Sequence, residues 1–173
     1  MVGDASDRGS TLALSVASIV PIAGLMLAIH VRRPGVAHLK PSWLGPQGGL
    51  PGMPAIAWTG VGVATLGLLL RLWAVLKLRW RYSRTLLIQS EQRIERGGPY
   101  RIVRHPGYLG SLLTLNGIAL TSGNTSVFLA SLAATSVAYV YRVRVEEAML
   151  VSAFGAPYES YRSEVRALLP FIW

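Results

Sequence analysis

The chain alternates long apolar runs with short, charge-dense stretches, and the run lengths set the elements it predicts. No charged residue occurs between Ser10 and Ile29, a run close to the ~20 residues that a membrane-crossing helix needs. Asp4 and Asp7 stand against Arg8 before it, and no clean small-residue cleavage site follows. It therefore reads as a retained helix rather than a signal peptide, kinked at Pro21 with Gly24 near by. Arg32 to Pro54 is rich in proline and glycine and reads as an irregular connection anchored at the interface by Trp43. A second span is predicted from Ala55 to Leu76. Trp58 and Trp73 would mark its two interfaces, and Arg71 would snorkel outward. Gly60, Ala64 and Gly67 give this span a small-residue face for a neighbouring helix.

The pattern then changes. Residues 77–104 hold eight basic residues: Lys77, Arg79, Arg81, Arg84, Arg93, Arg96, Arg101 and Arg104. Two shorter apolar runs follow, at 107–121 and 126–141, around Thr121-Ser122-Gly123-Asn124-Thr125. That turn chemistry predicts a tight helical hairpin. Both runs fall short of ~20 residues, so their helices must thin the bilayer, shelter among other helices or extend through polar ends. Tyr139 and Tyr141 read as interfacial aromatic residues. The tail from Arg142 is amphipathic, with Leu168 to Trp173 predicted to return to the membrane surface. The expected fold is an all-α integral membrane protein of about four transmembrane helices, forming a single domain over 1–173. Its parts are two spans within 1–76, a cytosolic connector 77–106, a helical hairpin 107–141 and a tail 142–173 containing an amphipathic helix.

Composition supports this class. Hydrophobic residues make up 51% of the chain and charged residues 14%, which argues against an ordinary soluble domain. The net charge of +9 gathers beside the apolar runs, as attraction to anionic lipid predicts, so membrane lipids and not nucleic acid are the expected partners. With four spans, thirteen basic residues lie on one side and three on the other, making the charged side cytoplasmic. The absence of cysteine removes disulfides, thiolate metal sites and cysteine nucleophiles. His, Asp and Glu are too few and scattered for a metal site. His30 and His38 have no constellation around them.

Two polar constellations share the charged face. The first is Gly98-Pro99-Tyr100-Arg101-Ile102-Val103-Arg104-His105-Pro106-Gly107-Tyr108-Leu109-Gly110, with Pro106 suited to the first turn of the next helix. The second is Arg142, Arg144, Glu146 and Glu147, followed by Phe154-Gly155-Ala156-Pro157-Tyr158-Glu159-Ser160-Tyr161. Arg142 and Glu146 are spaced i,i+4 on a continuing helix and face the same way. Taken singly, each has a plain reading: a histidine that caps a helix and a salt-bridged helix end.

Taken together, they resemble the isoprenylcysteine carboxyl methyltransferase family and its bacterial, phospholipid methyltransferase-like relatives. The resemblance rests on a GxYxxxRHPxYxG pattern over Gly98–Gly110 and on Arg142, Glu146-Glu147, Phe154-Gly155, Tyr158, Tyr161 and Leu169-Pro170. It covers roughly residues 77–173. It implies a membrane methyltransferase, expected to be an O-methyltransferase, with S-adenosyl-L-methionine as cofactor. Tyr100, His105, Pro106, Gly107, Tyr108 and Glu146 would bind that cofactor. Arg142 would face the acceptor substrate and His105 would position groups; for an acceptor that must lose a proton, His105, Glu146 or Glu147 would be the candidate base. A further cofactor segment falls on Gln92, Arg93, Ile94 and Glu95, where Gln92 replaces the family's His and Glu95 an apolar residue. The implied acceptor is a lipophilic molecule or lipidated protein entering from the bilayer. A prenylated cysteine carboxylate, a phenolic-lipid or alkylpyrone hydroxyl, a thiol and a phospholipid amine all remain open. The short chain points to a prokaryotic inner membrane, with the site facing the cytosol. Two other readings stand beside this one: an NADPH-dependent reductase related to the sterol reductases, and a non-enzymatic lipid-binding scaffold.

Overall fold

The computed structural model describes residues 53–78 and 94–168, together with five helical positions, Val16, Ser18, Ile19, Ile22 and Ala23. The connection 32–52, the basic residues 79–93 and the last five residues lie outside the described set. The described residues are almost wholly helical. They form α1 (Met53–Leu78), a short 3-10 turn (Gly98–Arg101), α2 (Pro106–Thr121), α3 (Thr125–Phe154) and α4 (Ala156–Glu164). Among the described residues, α1 and α3 are long and apolar enough to cross a membrane. At 16 residues, α2 is shorter than the ~20 a straight span requires.

The small-residue face predicted on α1 is where α2 packs. A Cβ added at Gly60 would lie 2.7 Å from the Thr121 nitrogen, and one at Gly67 would lie 2.5 Å from the Thr114 nitrogen. Gly110 and Gly117 answer from α2, each against the α1 backbone. Thr114 adds a hydrogen bond across the crossing, from Oγ1 to the Ala64 carbonyl at 3.4 Å. Small side chains let two helix backbones meet, so dispersion and short polar contacts replace the hydrophobic drive that lipid cannot provide.

Arg71 departs from its expectation. It does not snorkel outward: its Nη1 donates to Ser111 Oγ and to the Gly107 carbonyl at 3.4 Å, both on α2. Ser111 in turn donates to the Gly107 carbonyl at 2.9 Å. The guanidinium finds its acceptors in the first turns of the neighbouring helix, so it has no need of an aqueous interface.

The hairpin forms as the turn residues predict. Gly123 takes φ 62°, in the left-handed region where a Cβ is costly. Asn124 caps α3, its side chain accepting from the Val127 amide at 3.1 Å. Between α2 and α3 runs a buried polar chain. Asn116 Nδ2 donates to Thr135 Oγ1 at 3.0 Å, and Ser131 Oγ donates to Asn116 Oδ1 at 3.1 Å. Satisfied in this way, the polar groups hold the hairpin with their desolvation cost offset by hydrogen bonds.

The third helix does not stop near residue 141. It continues 13 residues further to Phe154, taking Arg142, Arg144, Glu146 and Glu147 into one rod, so the short second run is resolved by extension through a polar end. Tyr139 is consequently not an interfacial residue. It is 5% exposed and packs against Tyr108, with ring centroids 5.6 Å apart. Gly155, at φ 57°, ends α3 and begins α4. After α4 the chain runs beside the 103–105 segment. The Arg104 amide donates to the Arg166 carbonyl at 2.7 Å and the His105 amide to the Ala167 carbonyl at 3.0 Å. Leu168, with Ala167, packs on Val143 of α3 and against Tyr108, Leu109 and Leu112 of α2; the rest of the segment expected at a membrane surface, 169–173, lies outside the described residues.

Candidate active site

Each segment that meets here is placed by a local rule. The 3-10 turn starts at Gly98, with φ 58°, and its backbone closes through the Ile102 and Val103 amides on the Pro99 carbonyl. The chain then extends through Arg104 and His105 until Pro106 opens α2 at its first turn. His105 is the residue preceding that turn, yet its side chain makes no capping bond. Its ring is 5% exposed and lies between two carboxylates of α3. Nε2 is 3.3 Å from Glu147 Oε1, and Nδ1 is 3.8 Å from Glu146 Oε2. The plain helix-capping reading of this histidine therefore fails.

Tyr108, one turn along α2, stacks on the His105 imidazole with ring centroids 5.5 Å apart and planes within 7°. Arg142 reaches the same ring from α3. Its Nε donates to the Tyr108 hydroxyl at 2.9 Å, and its guanidinium carbon lies 5.8 Å from the ring centroid. Arg142 is 3% exposed. His105, Tyr108, Arg142 and Glu146, singled out on two distant stretches of sequence, thus form one cluster.

The two adjacent glutamates differ sharply. Glu147 is saturated with donors. Arg104 Nε donates to Oε1 at 2.8 Å and Arg104 Nη2 also donates to it, while Arg162 Nε lies 3.3 Å from Oε2. Glu146 has no such company at Oε2, which is buried and accepts no hydrogen bond. A buried acceptor without a donor is costly, and native structures hold few of them. A ligand bearing hydroxyl or ammonium donors would satisfy it. The Tyr158 hydroxyl of α4 is the other buried group in this condition among the described residues.

The remaining expected residues fall around this centre. Tyr100 turns its hydroxyl to the Ala74 carbonyl of α1 at 3.4 Å, and its own carbonyl accepts from Tyr161 at 2.5 Å. Pro106 is fully buried, and the Gly107 carbonyl is taken by Arg71 and Ser111. Glu95 Oε1 accepts from the Gly97 amide at 2.8 Å and lies 4.0 Å from Lys77 Nζ, so it closes a local turn rather than meeting the His105 cluster. Ile94 precedes it, outside any helix; Gln92 and Arg93 lie outside the described residues.

Arg104 and Arg162 form the part of the site that sequence reasoning does not assign, and Glu147, read there only as a candidate base, is instead their shared partner. Arg104 lies inside the motif and Glu147 beside Glu146, but spacing alone gives neither of them a partner. The available signal is the pairing of an arginine next to the histidine with a second glutamate next to the first.

Burial also marks α4. The Tyr161 hydroxyl is pushed up to about 12 by desolvation, against the pull of Arg104 and Arg96, and Tyr158 is raised further by burial beside Glu147. Unfolded tyrosine ionises near ~10. Between about pH 10 and 12 the unfolded chain therefore sheds this proton while the folded chain keeps it, and stability falls as pH rises. Tyr161→Phe is expected to cost about 1 kcal/mol at neutral pH through the lost bond to Tyr100. The same substitution should flatten part of the alkaline fall, as thermal melts from about pH 9 to 12 would show.

The chain is similar to known proteins. The chain resembles a probable protein-S-isoprenylcysteine O-methyltransferase of Oryza sativa subsp. japonica, with 30% identity over 122 residues, covering 68% of this chain and 62% of that protein. A methanethiol S-methyltransferase of Bradyrhizobium diazoefficiens is 42% identical over 72 residues, 41% of this chain and 26% of the relative. The chain thus spans less than two thirds of the length of either. The solved structure of the eukaryotic intramembrane Ras methyltransferase ICMT superposes with a TM-score of 0.69 at 24% identity, covering 91% of this chain and 52% of that one, and shows that the two share a fold. These likenesses bear out the resemblance drawn from the two motifs. Residues 55–157, which hold all but the first two residues of α1, the RHPxY segment, the hairpin and the paired glutamates, match the phospholipid methyltransferase family, and the chain belongs to that family.

Proposed function

We propose that this protein is an integral membrane enzyme that transfers a methyl group from S-adenosylmethionine to a lipophilic acceptor at the cytosolic face. The supporting observation is Glu146, whose buried Oε2 lacks a donor beside His105 and Tyr108. S-adenosylmethionine carries ribose hydroxyls and an ammonium group, either of which matches such an acceptor, so the residues present fit the cofactor. Glu146 would hold one of these polar groups, and His105 with Tyr108 would offer a stacked aromatic wall. Tyr100, Pro106 and Gly107 would shape the pocket behind them. Gln92 to Glu95 would have a lesser part, since Glu95 is engaged with Gly97. When bound, the cofactor supplies a methyl group on a positively charged sulfur.

Transfers of this kind gain most of their rate from alignment and exclusion of water, which a rigid, buried cluster provides. Arg142 would orient an acceptor carboxylate by a charge-assisted contact, and a carboxylate needs no base. A phenol or thiol must lose a proton. Glu147, tied to Arg104 and Arg162, is poorly placed to take it; Glu146 and His105 are the candidates. The acceptor is a prenylated cysteine carboxylate or a comparable lipid, including phenolic-lipid and alkylpyrone hydroxyls. The protein would lie in a prokaryotic inner membrane.

Titration calorimetry with S-adenosylhomocysteine in detergent tests this reading. Wild type should bind saturably, and each of His105→Ala and Glu146→Ala should weaken binding by about tenfold, roughly 1.4 kcal/mol. Absence of binding, or indifference to both changes together, would sink the proposal.

A further inference from the structure

Resting on that cofactor reading, we infer that Arg104 is a positioning residue that couples docking of the C-terminal segment 156–168 to closure of the cofactor site, acting through Glu147. The bonds of one guanidinium carry this inference. Arg104 Nε and Nη2 hold Glu147 of α3. Its Nη1 donates to two carbonyls of the C-terminal segment, Arg162 at 2.9 Å and Val165. The backbone of Arg104 and His105 then pairs with the Arg166 and Ala167 carbonyls. A single side chain, 9% exposed, therefore joins the motif loop, the glutamate pair and the segment that follows α4.

Two further contacts fasten the same segment. Tyr161 donates to the Tyr100 carbonyl at 2.5 Å, and Arg96 Nη2 donates to the Pro157 carbonyl at 2.6 Å. His105 stands at the centre, its amide held by the segment and its Nε2 by the glutamate that Arg104 fixes. Glu147 and Glu146 thus have separate tasks: one joins segments of the protein and the other is left open to a ligand. Arginine is required because its planar fork serves a carboxylate and backbone carbonyls at once, which a lysine ammonium cannot do in one geometry.

Coupling is reciprocal. If docking of the segment assists cofactor binding, bound cofactor must also tighten docking. The amides of Arg104 and His105 report docking directly because their acceptors lie on the segment. Hydrogen exchange at these amides, with and without saturating S-adenosylhomocysteine, is measured in full-length wild type, Arg104→Lys, Glu147→Gln and Glu146→Gln. Saturating S-adenosylhomocysteine should slow exchange in wild type. Arg104→Lys should speed basal exchange by about tenfold and weaken S-adenosylhomocysteine by a similar factor, each equivalent to roughly 1.4 kcal/mol. Glu146→Gln should weaken binding and leave basal exchange unchanged. Should Arg104→Lys fold poorly, Glu147→Gln keeps the shape of the cluster and should give the same pair of changes to a smaller degree.

Weakened binding in Arg104→Lys with unaltered exchange would make Arg104 a ligand contact and overturn the inference. Exchange that ignores S-adenosylhomocysteine in a wild type that binds it would overturn the coupling. If wild type binds none, the cofactor reading fails and the coupling with it. Basal exchange in Arg104→Lys still decides whether Arg104 holds the segment.

Discussion

Glu147→Ala is expected to remove about 3 kcal/mol or more of folding stability, whereas Glu146→Ala, one residue away, should change it by less than about 0.5 kcal/mol. The difference follows from what each carboxylate leaves behind. Without Glu147, Arg104 keeps its bonds to the Arg162 and Val165 carbonyls but loses its counter-charge in a place where it is 9% exposed. Breaking a buried pair by deleting one partner costs about 3–5 kcal/mol, because the surviving charge is uncompensated. The retained carbonyl bonds put this case near the lower end. Total stability of a domain is only about 5–15 kcal/mol, so thermal melting in detergent should show a large fall. Glu146→Ala removes an acceptor whose Oε2 has no donor. Relief of that desolvation offsets the packing and the weak attraction to His105 that go with the side chain. A stable Glu146→Ala protein that binds S-adenosylhomocysteine about tenfold more weakly would mark the first glutamate as a residue kept for the ligand and not for folding. A stable Glu147→Ala protein would contradict the clamp outright.

The helices are legible where period, turn chemistry and small residues agree. Gly60, Ala64 and Gly67 recur on one face of a 3.6-residue helix, and α2 packs there. Ser122 to Asn124 contains both the positive-φ glycine and the cap that the hairpin uses. The end of α3 is not legible from hydropathy, because apolar runs mark where lipid is tolerated and not where a helix stops. Arg142, Arg144, Glu146 and Glu147 are sound helix formers, and Arg142 and Glu147 find partners inside the protein, so the rod continues until Gly155 turns to positive φ. Tyr139 departs from its interfacial reading for the same reason, since a residue near the end of an apolar run is in fact in mid-helix. Arg71 shows a different limit: its place in the run is readable, but Ser111, 40 residues on, is not. Within the site, the hairpin puts His105 and Glu146 on one face and the family resemblance implies one pocket for both, while the distinct surroundings of Glu146 and Glu147 emerge only with the positions of Arg104 and Arg162.

Gly110, the last glycine of the GxYxxxRHPxYxG pattern, should tolerate no side chain. A Cβ there would lie 2.6 Å from the Gly67 carbonyl oxygen, 2.7 Å from the Arg71 amide and 2.9 Å from Arg71 Cβ. Backbone cannot swing aside as a flexible side chain can, so α1 and α2 must separate. Gly110→Ala gains about 1 kcal/mol of helix propensity, against an overpacking cost of typically about 1–3 kcal/mol, with the Arg71 bonds to Ser111 and Gly107 loosened besides. The expected balance is a loss of about 1–2 kcal/mol, rising steeply for Gly110→Val, whose branched side chain adds volume at the same contact. Gly62 provides the control, since an added Cβ there meets nothing within 4 Å and Gly62→Ala should be neutral or stabilising by up to about 1 kcal/mol. The effect should also reach the site. Gly110 lies one turn from Gly107 and next to the Tyr108–Leu109 pair, so displacing α1 shifts the wall on which His105 stacks. Gly110→Val should therefore lower both the melting temperature and S-adenosylhomocysteine affinity, while Gly62→Ala lowers neither. Equal tolerance at the two glycines would show that close helix contact is not why the pattern ends in glycine.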